Sequence, residues 1–191
     1  MNDVDKAQVW IDAGLSELAK GGVEGVRVEV LAERLGVTKG GFYRQFKDRR
    51  ALLLAMLDAW TRGRIAVMEK QMERGDVPAS EHLKSLVRLY AERMNVKGMA
   101  IELAIRQWAR NDSAAATAAA KVDAARMRVA KQLYVELGLA EPEAQARAAL
   151  LYSFVFGQSL LYFGQTLRKG AMLDAASRIL VNNEAPGLAM A

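Results

Sequence analysis

Among its 191 residues the chain has no cysteine and a single histidine, His82. The absence of cysteine rules out disulfides, zinc–thiolate and iron–sulfur centres, and thiol nucleophiles. The lone histidine sits beside Glu81, with no second histidine nearby in sequence, so it reads as a solvated helix residue. No HExxH pair, nucleophile elbow or P-loop occurs. Gly40-Gly41 lies inside a short helical segment with no preceding strand, which removes it as a phosphate loop. Glu69 and Glu73, like Glu141 and Glu143, read as ordinary surface charge. The chain is therefore expected to be no enzyme and to need neither metal nor cofactor.

Proline is almost as scarce. With only Pro78, Pro142 and Pro186 to interrupt it, the chain leaves long Ala-, Leu-, Arg- and Glu-rich stretches free to be helical. Residues 4–20 carry apolar positions at helical spacing and end at Gly21-Gly22. A short helix over 28–35 ends at Gly36, and Thr38 is placed to cap a helix running to about Phe46. Asp48 caps a longer one to about residue 73. Pro78 fits the first turn of a fifth helix, and Lys97-Gly98 is expected to break the chain again. Asn111-Asp112-Ser113 opens the alanine-rich helix 114–137, Pro142 starts another to about Arg168, and Gly170 precedes the last.

Two segments compete with this all-α reading. Val26, Val28 and Val30 alternate with charged residues as a half-buried strand would, but an isolated strand would leave its backbone groups without partners. The segment is read as a helix entry. Residues 148–167 form 20 positions without a charge, the length of a membrane span. Yet Ser153, Gln158, Ser159, Gln165 and Thr166 surround that helix. A helix buried in protein, with Ser153, Gly157 and Gly164 at a dimer interface, fits better. The polar opening MNDVDK shows no secretory signal, so the cytoplasm is the expected location.

The informative stretch is RVEVLAERLGVTKGGFYRQFKDRR, residues 27–50. Two short helices meet at a tight turn. Ala32 is small where they approach, Gly36 makes the turn, and Leu31, Leu35, Val37 and Phe42 fill the space between. Phe42 and Phe46, four apart, fix the buried face of the second helix. Opposite them project Gly40, Arg44 and Lys47, with Gly41 and Tyr43 on the flanks and Lys39 at the N-terminal end. This is helix-turn-helix spacing, in which the second helix enters a major groove.

Charge agrees in position. The net charge of +5 averages a formal −4 over residues 1–33, +5 over residues 34–50 and +4 beyond. A solvated basic face on a helical bundle would show the same charge. It would leave two glycines in one helix unexplained, each costing up to about 1 kcal/mol against alanine. Close approach to DNA explains them. Arg44 is the strongest candidate for reading a base, since guanidinium matches guanine O6 and N7 bidentately.

The run LAERLGVTKGGFYRQFKDRRALLLAML resembles the DNA-binding segment of TetR/AcrR-type transcriptional regulators, from Trp10 to Trp60. That resemblance implies an all-α protein of about nine helices, with a three-helix helix-turn-helix module followed by a regulatory and dimerisation bundle. The division is residues 1–48 for DNA binding and 49–191 for ligand binding and dimerisation, with helix 4 (48–73) as linker. It also implies that Lys39, Gly40, Gly41, Tyr43 and Arg44 lie in or beside the groove, and that Arg27, Thr38, Gln45 and Arg49 hold phosphates. Gly41 and Gln45 depart from the family, which often has Ser or Thr and His there. The expected function is a homodimeric repressor on palindromic double-stranded operator DNA, released by a small-molecule effector. Met94, Met99, Trp108, Tyr152 and Phe156 are candidates for the effector pocket. The competing reading is a helical sensor or scaffold that acts through protein partners without binding DNA.

Overall fold

Glycines and acidic caps set several of the helix boundaries. In the computed structural model, described here over residues 3–73, 77–91, 96–160 and 169–181, the described residues form nine α-helices and no strand. The first four are α1 (Asp3–Gly25), α2 (Val28–Leu35), α3 (Lys39–Tyr43) and α4 (Arg49–Met72). They are followed by α5 (Ala79–Ala91), α6 (Val96–Ala109), α7 (Ser113–Glu136), α8 (Glu141–Leu160) and α9 (Lys169–Val181).

Gly21-Gly22, expected to end the first helix, instead kinks α1, with Gly22 at φ 66°, and the helix resumes to Gly25. Gly36, at φ 64°, ends α2, and the amide of Val37 reaches back to the Ala32 carbonyl at 3.0 Å. Asp48 caps α4 by accepting the Ala51 amide at 2.8 Å. Asp112 caps α7 through the amides of Ala114 and Ala115, and Gly138, at φ 89°, ends it.

Four further expectations shift. Thr38 stands at the N-cap position of α3 with an extended backbone, but its side chain makes no capping bond. The helical hydrogen bonding of α3 ends at Tyr43, short of Phe46, and Phe46 follows in a turn whose amide bonds the Phe42 carbonyl at 2.9 Å. Lys97-Gly98 lies in the first turn of α6 instead of breaking the chain, where a helix tolerates glycine at modest cost. Pro78 immediately precedes α5, its carbonyl accepting the amides of Glu81 and His82. The alternating valines resolve into a two-residue link, Val26-Arg27, and the first turn of α2, with Val26 and Val28 both buried. No described helix is long and apolar enough to cross a membrane. Residues 161–168, the end of the uncharged run, lie outside the described residues.

The chain divides into two compact units, Met1–Val67 with Asn95–Asp123, and Met68–Met94 with Ala124–Ala191. In the first, Trp10, Leu18, Leu31, Phe42, Leu52 and Met56 are buried together with their helices' apolar faces. Trp10 meets Phe42 edge-on at 5.3 Å, and Phe42 lies 5.6 Å from Phe46. Burying one such ring is worth about 1.5–3 kcal/mol, so this cluster fixes which face of α3 points outward. Gly14 lets α1 come close to α4, since a Cβ there would fall 2.6 Å from the Met56 sulfur. α6 packs along α1, with Ile105 and Trp108 buried.

The second unit is built on an apolar cluster that includes Leu83, Val87, Leu133, Leu151 and Val155. The Tyr134 hydroxyl donates to the Leu180 carbonyl at 2.8 Å and ties α7 to α9. Arg126, also buried, lies over the Phe156 ring at 5.1 Å.

Candidate nucleic-acid interface

The turn at Gly36 and the burial of Phe42 and Phe46 leave one face of α3 to solvent. Lys39, Gly40, Tyr43, Arg44 and Lys47 are all exposed on it or just beyond its end, and Gly41 and Gln45 are half-buried at its flank. Tyr43 is 60% exposed, and its ring rests edge-on against Phe42 at 5.2 Å, so the hydroxyl is held away from the core.

Of the six basic residues between 34 and 50, four are already engaged within the protein. The guanidinium of Arg34 pairs with Glu17 and donates to the Ser16 hydroxyl. Lys39 pairs with Glu29 at 2.8 Å in the open. That bond holds the Glu29 carboxyl below its ordinary range and the Lys39 amine above its own. Arg50 pairs with Asp112 at 2.6 Å. Its guanidinium, followed by the Ala115 amide, holds the Asp112 carboxyl below the usual range. Among the described residues, the side chains of Arg44 and Lys47 make no hydrogen bond or ion pair. The local charge of +5 therefore overstates what is on offer: two cations on the outer face, with Arg27 exposed at the start of α2.

Arg49 is the residue whose setting differs most from expectation. Its Nε donates to the Val26 carbonyl at 2.6 Å and its Nη2 to the Val23 carbonyl. Two of its nitrogens thus satisfy carbonyls around the end of α1, where a helix leaves acceptors unpaired. Arg49 pins the α1–α2 link to the start of α4, which leaves its remaining N–H groups, on Nη1 and Nη2, for the phosphate role inferred for it. The contact spans 23 to 26 positions, which is why sequence spacing does not reveal it.

Gly40 and Gly41 can be tested against the fold itself. Neither has a positive φ. A Cβ on Gly40 would meet only the Thr38 hydroxyl at 3.6 Å, and one on Gly41 the Trp10 ring at 3.9 Å and Val37 at 4.0 Å. These are ordinary contact distances, so packing inside the protomer gives no reason for glycine at either position.

The remaining candidates fall in different places. Met99 and Trp108 are buried in the first unit. Tyr152 and Phe156 stack at 6.4 Å in the second. Met94 and Gly164 lie outside the described residues. On α8, Ser153 is exposed and Gly157 half-buried, with no described atom within 4 Å of where its Cβ would be. Sequence inspection overlooked two buried charges in the body, Glu102 and Arg126. Their helices have weak overall amphipathicity, so nothing in the local pattern marks those positions as interior.

An aromatic-cored three-helix module whose third helix is exposed, basic and glycine-bearing has the geometry of a helix-turn-helix DNA-binding module. Residues 11–56 match the family described as bacterial regulatory proteins, tetR family. An HTH-type transcriptional regulator of Bacillus subtilis, YuxN, is 29% identical over 86 residues, a match spanning 45% of this chain and 30% of that relative. A transcriptional regulator from Rhodococcus shares the fold at TM-score 0.70 and 22% identity, covering 92% of this chain and 93% of its own. So does a protein of Saccharomonospora viridis solved in complex with choline, at TM-score 0.70 and 15% identity, covering 93% and 94%. Over residues 11–56 the chain is thus similar to the tetR family of bacterial regulatory proteins, the match to YuxN spans less than a third of that relative, and the likeness to the solved structures is one of fold.

Proposed function

We propose that the protein acts as a homodimeric repressor in the cytoplasm. Residues 1–48 read double-stranded operator DNA, residues 49–191 bind a small-molecule effector and form the dimer, and α4 links the two. The observation that carries the DNA role is the outer face of α3, where two cations without internal partners flank glycines that the fold does not require. Lys39, Gly40, Gly41, Tyr43 and Arg44 lie in or beside the major groove, and Arg44 reads a base edge. Arg27, Thr38 and Gln45 hold phosphates, and Arg49 chiefly sets the link that presents Arg27.

Two copies place their α3 helices about 34 Å apart, matching successive major-groove faces of a palindrome. The outer face of α8 supports the pairing: Ala146, Ala149, Leu150 and Ser153 are exposed at helical spacing, and Leu150 is 60% exposed. The effector is a small molecule that enters the body, with Tyr152 and Phe156 as candidate walls. It releases the operator by binding the non-DNA conformation more tightly.

Fluorescence anisotropy with a duplex recovered by the protein from a randomised pool tests the reading. Replacing Arg44 with Ala is expected to cost about 1–3 kcal/mol per half-site and to relax preference at one base. Equal loss on every duplex variant removes Arg44 from base reading. A wild-type chain that shows no salt-sensitive DNA binding overturns the function itself.

A further inference from the structure

The chain's one histidine is not the solvated helix residue that its neighbours in sequence suggest. His82 of α5 is half-buried, and its Nε2 is buried with no hydrogen-bond partner among the described residues. Buried polar atoms are nearly always satisfied, so this nitrogen calls for a partner from outside the chain. A second observation meets the first. His82 lines a cavity of about 50 Å³ between α4, α5 and α7, with Gln71 and Met72 of α4, Ser85 of α5, and Val129 and Leu133 of α7 around it. All of these residues belong to the second compact unit.

The walls select the occupant. Leu133 is buried, and Met72 and Val129 are half-buried and apolar. The lining includes no carboxylate, lysine or arginine. Charged side chains close by in sequence are held elsewhere: Glu81 and Lys84 pair with each other at 2.8 Å, and Glu69, Lys70, Glu73 and Arg128 are exposed and outside the lining. A small ion would lose its hydration there and find no fixed counter-charge. Gln71 and Ser85 add an amide and a hydroxyl, and neither side chain makes a hydrogen bond among the described residues. Ser85 is exposed, so the cavity reaches solvent on its side.

We infer that the cavity receives the hydroxyl end of an uncharged small molecule, held by His82 Nε2. With the imidazole proton on Nδ1, Nε2 accepts from the hydroxyl, whose oxygen in turn accepts from the Gln71 amide or the Ser85 hydroxyl. A group that both donates and accepts suits this set better than a carbonyl, which only accepts. A cavity of about 150 Å³ holds a benzene ring, so this one takes a head of about two or three non-hydrogen atoms. The rest of the molecule extends outward past Ser85. The inference rests on the effector reading above and narrows the chemistry of the effector. Tyr152 and Phe156 are not among the residues that line this cavity.

The test adds benzyl alcohol to the full-length chain, with benzoate and benzylamine as near-isosteres of opposite charge. Because His82 is the only histidine, the nitrogen-15 spectrum of imidazole-labelled protein reports this side chain alone. Benzyl alcohol is expected to shift the Nε2 resonance saturably, and both ions to bind about tenfold more weakly or less. His82→Phe keeps a ring but removes the nitrogen, and is expected to weaken benzyl alcohol about tenfold in ligand-observed NMR. Val129→Phe, which fills the cavity, is expected to abolish the shift while the His82 signal remains visible. Circular dichroism confirms that each variant is folded. An Nε2 resonance that no probe moves identifies water as its sole partner and overturns the site. An equal response to all three probes, or unaltered affinity in both variants, overturns it as well. Anisotropy with the selected duplex separates the two readings. If benzyl alcohol binds as described without weakening DNA binding, the site stands and the effector reading falls. If the wild-type chain binds no duplex, the regulator reading fails while the Nε2 shift still decides the site.

Discussion

The two compact units hold their helices together by different means. In the first, charged contacts cross between helices at several points: Arg34 with Glu17, Lys39 with Glu29, Arg50 with Asp112, Arg64 with Glu102, and Arg106 with Asp123. In the second, Lys131 pairs with Glu141 across helices at the surface, and the Tyr134 hydroxyl ties α7 to α9. Apolar packing around Leu133 and Leu151 forms the core between them. Directional contacts suit a unit whose helix must be presented at a fixed angle to a rigid double helix. Apolar packing has no preferred bond direction and leaves the second unit freer to rearrange.

The difference can be broken most forcefully at one residue from each unit. Leu151→Ala is expected to cost about 2–5 kcal/mol by leaving a cavity, with the same loss at low and high salt. Glu102→Gln removes a carboxylate that is 2% exposed and faces Arg64 and Arg106. Its cost is expected to be about 2–3 kcal/mol, eased because Asp123 still holds Arg106, and added salt should relieve part of it by screening the surplus cation. Urea unfolding at two ionic strengths compares them, and equal salt responses would erase the contrast.

A smaller effect separates fold from function within the first unit. Gly40→Ala and Gly41→Ala are each expected to raise stability by up to about 1 kcal/mol, since helix propensity improves and the Cβ meets only ordinary contacts. Both should weaken DNA binding. A variant that gained stability and kept full affinity would remove close approach to DNA as the reason for that glycine.

The smallest effect is invisible at neutral pH. Burial pushes the Tyr134 hydroxyl up to about 12 from its ordinary 10. A folded pKa above the unfolded one means the stabilisation is complete below pH 10 and is lost as pH rises from about 10 to about 12. Tyr134→Phe is expected to flatten the fall in melting temperature over that window. A fall of wild-type steepness in the variant would place the titrating group elsewhere.

How much of this was legible beforehand follows from the range of each interaction. The break at Gly21-Gly22, the turn at Gly36, the Asp48 cap and the inward face of Phe42 and Phe46 depend on neighbours within about four positions. Sequence spacing is sufficient for them, and it also singled out the outer face of α3. The Arg49 clamp and the Arg50–Asp112 pair join residues 23 to 62 positions apart. For that reason sequence spacing does not show that much of the basic cluster is bound internally. Buried Glu102 and Arg126 sit on helices with no strongly amphipathic pattern, so the chemistry of the body stayed hidden.

Asp112 shows what such a contact means for the molecule as a mechanism. One oxygen takes the first amides of α7 and the other takes the Arg50 guanidinium in the first turn of α4. The carboxylate is thus a gear between two helix starts: turning it to favour one weakens its grip on the other. Its lowered pKa means that the stability it contributes is complete above the usual carboxylate range and is lost as pH falls below it. At that point a single proton loosens both helices together.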